Sequence, residues 1–398
     1  MYFISPYSIY IQYFPYFQSA GGVLGFDESA TPENPNKQLH PAVLKSLARH
    51  RFSQVVCGHD HIVALTTTGK VLAWGNGQQA QLGRRIVERH KHAALKPAMM
   101  AKLRNIVRVC SGHYHSFAID KSGKVYAWGL NNYGQTGVMP SDFEKGEQQE
   151  EDMSCIWTPT LVSALSPSAF GGRRRVVDIA GGEHHSLFLL SDGSVWACGR
   201  ADGFELGIGQ DHPEWKRLQE RIAEAKAEIL EEQREARRKS RHEKPDEDAM
   251  DEDGARTGHA GGRKGKVVVD EYIPYPVPLL FPPPPNPNDN DPPLEAFTPL
   301  IRQSAVAQGI KQVACGLHFS LALGEGGHVY SWGYGPNCEL GRGDDKPGAV
   351  PGRVWSKELD AREVVFDDGS VECGKWNVES VHAGGQHCLL VVQWEPEG

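Results

Sequence analysis

CGHDHIVALTTTGKVLAWGNGQQAQLG, residues 57–83, is the stretch whose reading decides the fold. It holds an apolar run, a Thr-Gly-Lys turn, a second apolar run ending in Trp74-Gly75, and a polar loop closing on Leu82-Gly83. Two apolar runs joined by a turn with glycine at its centre read as a β-hairpin, because glycine supplies the positive φ that tight hairpins need. The same pattern returns without gaps as SGHYHSFAIDKSGKVYAWGLNNYGQTG from Ser111, GGEHHSLFLLSDGSVWACGRADGFELG from Gly181 and CGLHFSLALGEGGHVYSWGYGPNCELG from Cys315. The outer glycines of each copy, 58 and 83, 112 and 137, 182 and 207, 316 and 341, stand 25 residues apart, and an interior glycine recurs at 75, 129, 199 and 333.

A further apolar run precedes each copy: RFSQVV, NIVRVC, RVVDIA and IKQVA. A proline-marked segment such as TPTLV (residues 158–162) follows some of them and suits an edge strand, where a missing N–H costs nothing. Three to four short strands per repeat describe the blade of a β-propeller. AGGQHCLLVVQW, from Ala383, begins a fifth copy, and GGVLG (residues 21–25) resembles the end of an earlier one. The expected architecture is therefore all-β: an incomplete propeller of about four full and two partial blades. The count also leads to the expectation that the chain is shortened at its N-terminus by two or more blades.

First-glycine spacings are 54, 70, 134 and 69 residues, taking Gly385 in the last copy. The long gap marks an insertion. Its first part, EWKRLQERIAEAKAEILEEQREARRKSRHEK, is a charged helix without a wide apolar stripe, and DEDAMDEDG, GGRKGK and FPPPPNPNDNDPP follow as a linker. The division expected is 1–16 as an aromatic stretch outside the repeat, 17–209 as blades, 210–299 as the insertion and 300–398 as blades.

The chain has 398 residues, 50 acidic and 42 basic side chains, and a net charge of −8, which gives no global sign of nucleic-acid binding. Its eight cysteines form no C-x-x-C pair and read as reduced thiols. No apolar run reaches the length of a membrane span. No nucleophile–base set, phosphate loop or metal-ligand spacing is present, and His113-Tyr114-His115 has no third ligand nearby in sequence. No cofactor is expected, and protein recognition is the function class that remains.

The copies differ most informatively at the second residue after the first glycine: Asp60, Tyr114, His184, His318 and His387. Equivalent positions in a propeller share one radius and height, so these five are expected to form a polar ring on one face. A histidine after such a turn also serves a merely structural role by bonding a neighbouring carbonyl, and both readings stand at this point.

These units resemble the regulator of chromosome condensation family, and the order of unequal loops (GHDH with GNGQQAQLGR, LNNYGQTGV, GGEHH with GRADGFELGIG, and SVHAGGQH) is similar to that of its fungal members. The resemblance implies a seven-bladed propeller that is a guanine-nucleotide exchange factor for the small GTPase Ran, nuclear and chromatin-associated, acting by protein contact without covalent chemistry. It implies Ran on one face and nucleosomes on the other, with no membrane or small-molecule substrate. It also implies exchange-critical roles for Asp60 and His184 and GTPase contacts for Arg84, Asn132 and His387, with His318 and Tyr114 added from the ring. Gly134 departs from members with histidine there, and Ser19 stands where an acidic residue is common. The alternative is a propeller scaffold for other protein partners. An enzyme using the histidine ring would lack any accompanying nucleophile or metal set.

Overall fold

A computed structural model describes residues 2–5, 8–11, 42–86, 96–143, 153–242, 269–282, 309–354, 356, 359, 361–365 and 370–396. Four antiparallel sheets of four strands each account for the four aligned copies. The first is β4 (Phe52–Cys57), β5 (His61–Thr66), β6 (Val71–Gly75) and β7 (Ala98–Met99). The second is β8 (Ile106–Ser111), β9 (His115–Asp120), β10 (Val125–Leu130) and β11 (Cys155–Leu161). The third is β12 (Val176–Gly181), β13 (His185–Leu190), β14 (Val195–Arg200) and β15 (Tyr272–Pro278). The fourth is β16 (Ile310–Cys315), β17 (Phe319–Gly324), β18 (Val329–Gly333) and β19 (Gly348–Arg353).

Strand order follows chain order in each, so every blade is a four-stranded meander with its first strand innermost. The second strands are buried along their whole length, as in HIVALT and HSLFLL. Both faces of such a strand are covered, which stacked blades achieve and an isolated sheet does not. The three tryptophans at 74, 128 and 332 are fully buried.

Two partial sheets flank this run. β20 (Glu363–Val365), β21 (Val371–Ala383) and β22 (Cys388–Pro396) form a fifth, three-stranded sheet. β1 (Tyr2–Ser5), β2 (Ser8–Ile11) and β3 (Ala42–Val43) form the other. β3 leads into a 3-10 turn at Lys45–Leu47, just as β11 leads into one at Ser163–Leu165. Leu44 and Leu47 then pack on Ile62, Leu72 and Trp74 as Val162 and Leu165 pack on Val176 and Phe188. The piece before blade 1 is thus the outer part of a preceding blade.

Two expected boundaries move. Residues 2–5 and 8–11, assigned outside the repeat, are strands, and β2 pairs with β3. Their alternation of aromatic and β-branched residues is itself a strand pattern. Residues 272–278, assigned to the insertion, are β15, paired with β14 from Trp196↔Pro278 to Arg200↔Tyr272. The prolines of YIPYPVP made the segment look like linker, yet an outermost strand tolerates them. GGVLG (21–25), Ser19, the acidic and GGRKGK segments and most of the proline run lie outside the described residues.

The remaining insertion, residues 210–271, is a separate compact unit. Its described helix is α1 (Pro213–His242), on the charged stretch expected to be helical.

Candidate partner-binding rim

Each first-to-second-strand loop starts at a repeated glycine whose N–H donates to the carbonyl three residues on: Gly58 to His61, Gly112 to His115, Gly182 to His185 and Gly316 to Phe319. The residue between them that defines the ring is held from the other side. Asp60, Tyr114, His184 and His318 each accept, through their backbone oxygen, from the N–H after the interior glycine: Asn76 (2.7 Å), Leu130 (2.9 Å), Arg200 (2.9 Å) and Tyr334 (2.8 Å). This explains the interior glycine. A Cβ on Gly129 would lie 2.4 Å from the Tyr114 oxygen, and its φ is +107°.

Successive loops are stitched across blades. The His59 N–H donates to the His113 oxygen, His113 to Gly182, Glu183 to Leu317 and Leu317 to Gly385, all within 3.1 Å. The four ring residues therefore sit in register on one rim.

The fifth copy needs a correction. Gly384 donates to the His387 oxygen, and Ala383 pairs with Cys388 as Cys57 pairs with Ile62 and Ser111 with Ser116. Gly384, not Gly385, is the equivalent glycine, so His387 matches His61, His115, His185 and Phe319, and Gln386 takes the ring position. The paired glycines Gly384-Gly385 offered two alignments, and only the strand register separates them.

That other position is a clasp between blades. His61 Nε2 lies 2.8 Å from Ser116 Oγ, His115 Nε2 2.7 Å from Ser186 Oγ and His185 Nε2 2.9 Å from Ser320 Oγ, all six residues buried. Phe319 replaces the histidine where the next blade offers Cys388, and the two pack in one cluster. Burial drives the pKa of His61 and of His185 down to about 3, and that of His115 well below its ordinary value. These histidines are neutral structural groups.

The rim itself is a belt of rings and carboxylates. His59 and His113 lie 5.1 Å apart, Tyr114 stands 5.6 Å from His59 and 6.3 Å from His184, and Tyr133 is 4.9 Å from His184. Arg200 sits 5.5 Å over the Tyr133 ring while forming an ion pair with Asp202. Asp60 Oδ1 is 2.9 Å from His59 Nδ1. Glu183 lies 3.7 Å from His184 Nε2 and 3.2 Å from His318 Nε2. Burial lowers the pKa of His113 and His184, against the pull of Glu183, and burial with Glu183 and Asp60 raises that of Tyr114. His113 and His184 are therefore neutral near pH 7, and they offer hydrogen bonds and flat apolar faces beside fixed carboxylates. His59, Glu183 and Arg200 escaped the sequence reading: His59 and Glu183 flank the ring position, Arg200 follows an interior glycine, and Glu183 is signalled only by being the acidic residue of its loop.

Asn132 and Arg84 lie in the loops between third and fourth strands. Asn132 is exposed and accepts from Gln135 Nε2 at 3.1 Å. Arg84 is half-buried, its pKa lowered by that burial, and donates to the Ala73 oxygen at 3.2 Å. Arg342 repeats this, donating to the Ser331 and Val350 carbonyls. Arg84 thus ties its loop to β6, the third strand of its own blade. Gly134, at φ +69°, carries no side chain because a Cβ would fall 2.2 Å from Pro274 Cα in β15.

The RCC1-like domain family matches residues 18–390. The chain belongs to this family. Protein pim1 of Schizosaccharomyces pombe is 36% identical over 349 residues, which cover 86% of this chain and 47% of that protein. The guanine nucleotide exchange factor SRM1 of Saccharomyces cerevisiae is 38% identical over 200 residues, half of this chain and 38% of that protein. Among solved structures, Prp20p of Saccharomyces cerevisiae, described with its binding properties to Gsp1p and histones, matches with a TM-score of 0.59 and 26% identity over 92% of this chain and 61% of that one. The RCC1-like chain here spans less than half the length of these two curated relatives.

Proposed function

We propose that this chain is a guanine-nucleotide exchange factor for the small GTPase Ran and works in the nucleus. The observation that carries the reading is the rim: Asp60, Tyr114, His184 and His318 come from four consecutive blades and meet on one surface. A belt of imidazoles, tyrosines and carboxylates suits a protein partner, since flat amphipathic rings bury area with little entropy cost. The exchange-factor names of its relatives support the same reading.

Exchange requires only that the rim bind the nucleotide-free GTPase more tightly than the nucleotide-bound one; linkage then weakens nucleotide binding by the same factor. Asp60 supplies a fixed anion that competes with nucleotide phosphates for the partner's cationic groups. His184 and Tyr114 add hydrogen bonds and ring contacts, and Asn132 and Arg84 extend the surface outward. No bond is made or broken.

A histone or nucleosome contact falls to the opposite face. There the exposed Lys121 and Lys124 of one hairpin turn lie at the same end of the blades as Arg173 and Arg175, which precede β12.

The test is release of a fluorescent GDP analogue from Ran. The chain should accelerate release, and Asp60→Ala or His184→Ala should reduce the acceleration at least tenfold, the scale of one lost charge-assisted contact. No acceleration by the wild-type chain, with capture of other proteins in a pull-down, would establish the scaffold reading instead.

A further inference from the structure

His318 is the ring residue gripped from the neighbouring blade. Its Nε2 lies 3.2 Å from Glu183 Oε2 and its Nδ1 3.9 Å from Glu205 Oε1. Both carboxylates belong to blade 3, while His318 opens blade 4. Glu205 is only 2% exposed.

Glu205 has a second task that every blade repeats. Its Oε2 accepts from the Gly203 N–H at 2.9 Å, closing the loop. In the sister blades Gln81 accepts from Gln79, Gln135 from Tyr133 and Glu339 from Asn337. Loop closure thus needs one acceptor oxygen, and glutamine supplies it in blades 1 and 2. A buried carboxyl is a costlier way to do the same job. Burial raises the pKa of Glu205 to about 7, with Asp202 adding to the rise and Arg200 opposing it. In blade 4 both Glu339 oxygens are used on Asn337, at 2.7 and 2.9 Å. In Glu205 the second oxygen is turned to the neighbouring imidazole.

We propose that Glu205 is a positioning residue of the rim: together with Glu183 it fixes the His318 ring in the orientation that meets the GTPase. This rests on the exchange-factor reading of the rim. The other groups that act on the pair electrostatically are the carboxylates Asp202 and Glu339 and the Arg200 guanidinium. The imidazoles of His113, His184 and His185 also sense His318. Glu205 gains its negative charge as pH rises through about 7, and the carboxylate then stands beside the His318 ring.

Glu205→Gln separates the two tasks, because glutamine already closes the equivalent loop in two blades. Two measurements are made on wild type and variant. The first is the ring 1H–15N spectrum of His318 in the free protein, assigned with His318→Gln. The second is kcat/KM for GDP release from Ran between pH 6 and 8. The variant should shift the His318 ring resonances, lose the rise in kcat/KM across neutral pH, and fall roughly two- to fivefold below wild type at pH 8, the worth of one electrostatic contact near 4 Å. Glu205→Ala, which also loses the loop acceptor, should in addition lower the melting temperature. An unchanged His318 spectrum, or coincident pH profiles, would overturn the proposal. A shifted spectrum in a protein that never accelerates release would overturn the exchange reading while leaving the orientation of His318 by Glu205 intact.

Discussion

His115 and Ser186 meet across the seam between the second and third blades, Nε2 to Oγ at 2.7 Å, with both side chains fully buried. Ser186 donates its own proton to the Gln135 oxygen at 2.7 Å, so it accepts from His115 Nε2–H, and the neutral tautomer is fixed by geometry. His115→Ala should leave a cavity and an unsatisfied hydroxyl, costing about 3 kcal/mol. The chain itself offers a replacement in the Phe319–Cys388 pair. His115→Phe with Ser186→Cys should therefore recover part of the loss, and a double-mutant cycle by urea denaturation would measure it. Additive single effects would show that the two residues do not act as a unit.

Acid should open the blades through these clasps. The folded-state pKa values of His61, His115 and His185 lie below the ordinary 6.5, so the folded form holds them neutral while the unfolded chain takes up protons. Their stabilisation is complete above pH 6.5 and is lost as pH falls toward 3. With all three histidines charging only on unfolding, the slope below pH 6 approaches roughly 4 kcal/mol per pH unit. Denaturation midpoints measured from pH 7 to 4.5 would test this, and His61→Phe should make the curve shallower.

Gly134→Ala should destabilise the second and third blades together. Ala80, Phe204 and Cys338 occupy the same loop position with φ of +62° to +63°, so the left-handed backbone alone does not demand glycine. The 2.2 Å approach of a Cβ to Pro274 does, because backbone cannot swing aside as a side-chain tip can. A loss of more than about 2 kcal/mol is expected, against at most about 1 kcal/mol for Ala80→Gly.

Arg84 and Asp60 should separate under mutation. Arg84→Ala removes a donor to the Ala73 carbonyl and should lower thermal stability by about 1 kcal/mol alongside any effect on partner binding. Asp60, whose contact is with the exposed His59, should affect GDP release with little change in melting temperature.

Much of the blade architecture was legible because each blade is short-range. A hairpin with glycine at its turn, a tryptophan strand and a fixed loop length lie within 27 residues, and local chemistry repeats when geometry repeats. The strands of YIPYPVP and of the aromatic N-terminus were missed because composition argued against them, whereas only pairing to β14 and β3 reveals them. The rim was half legible. The ring position was found by symmetry at Asp60, Tyr114, His184 and His318, and it slipped by one residue at His387, where two adjacent glycines gave the alignment no purchase.

By itself the sequence determined that repeated blades form, where their hairpins turn and which position varies among polar residues, since all of these follow from local periodicity and glycine placement. Tertiary structure decided which histidines are buried clasps and which face solvent. Adjacent residues such as His184 and His185 differ in this only because one points to the rim and the other into the next blade, where Ser320 waits for it. Contacts between blades are made by residues 55 to 135 positions apart, as with His61 and Ser116, His115 and Ser186, Glu205 and His318, and His185 and Ser320. No local pattern encodes that distance; it closes only when the blades stack around a common axis.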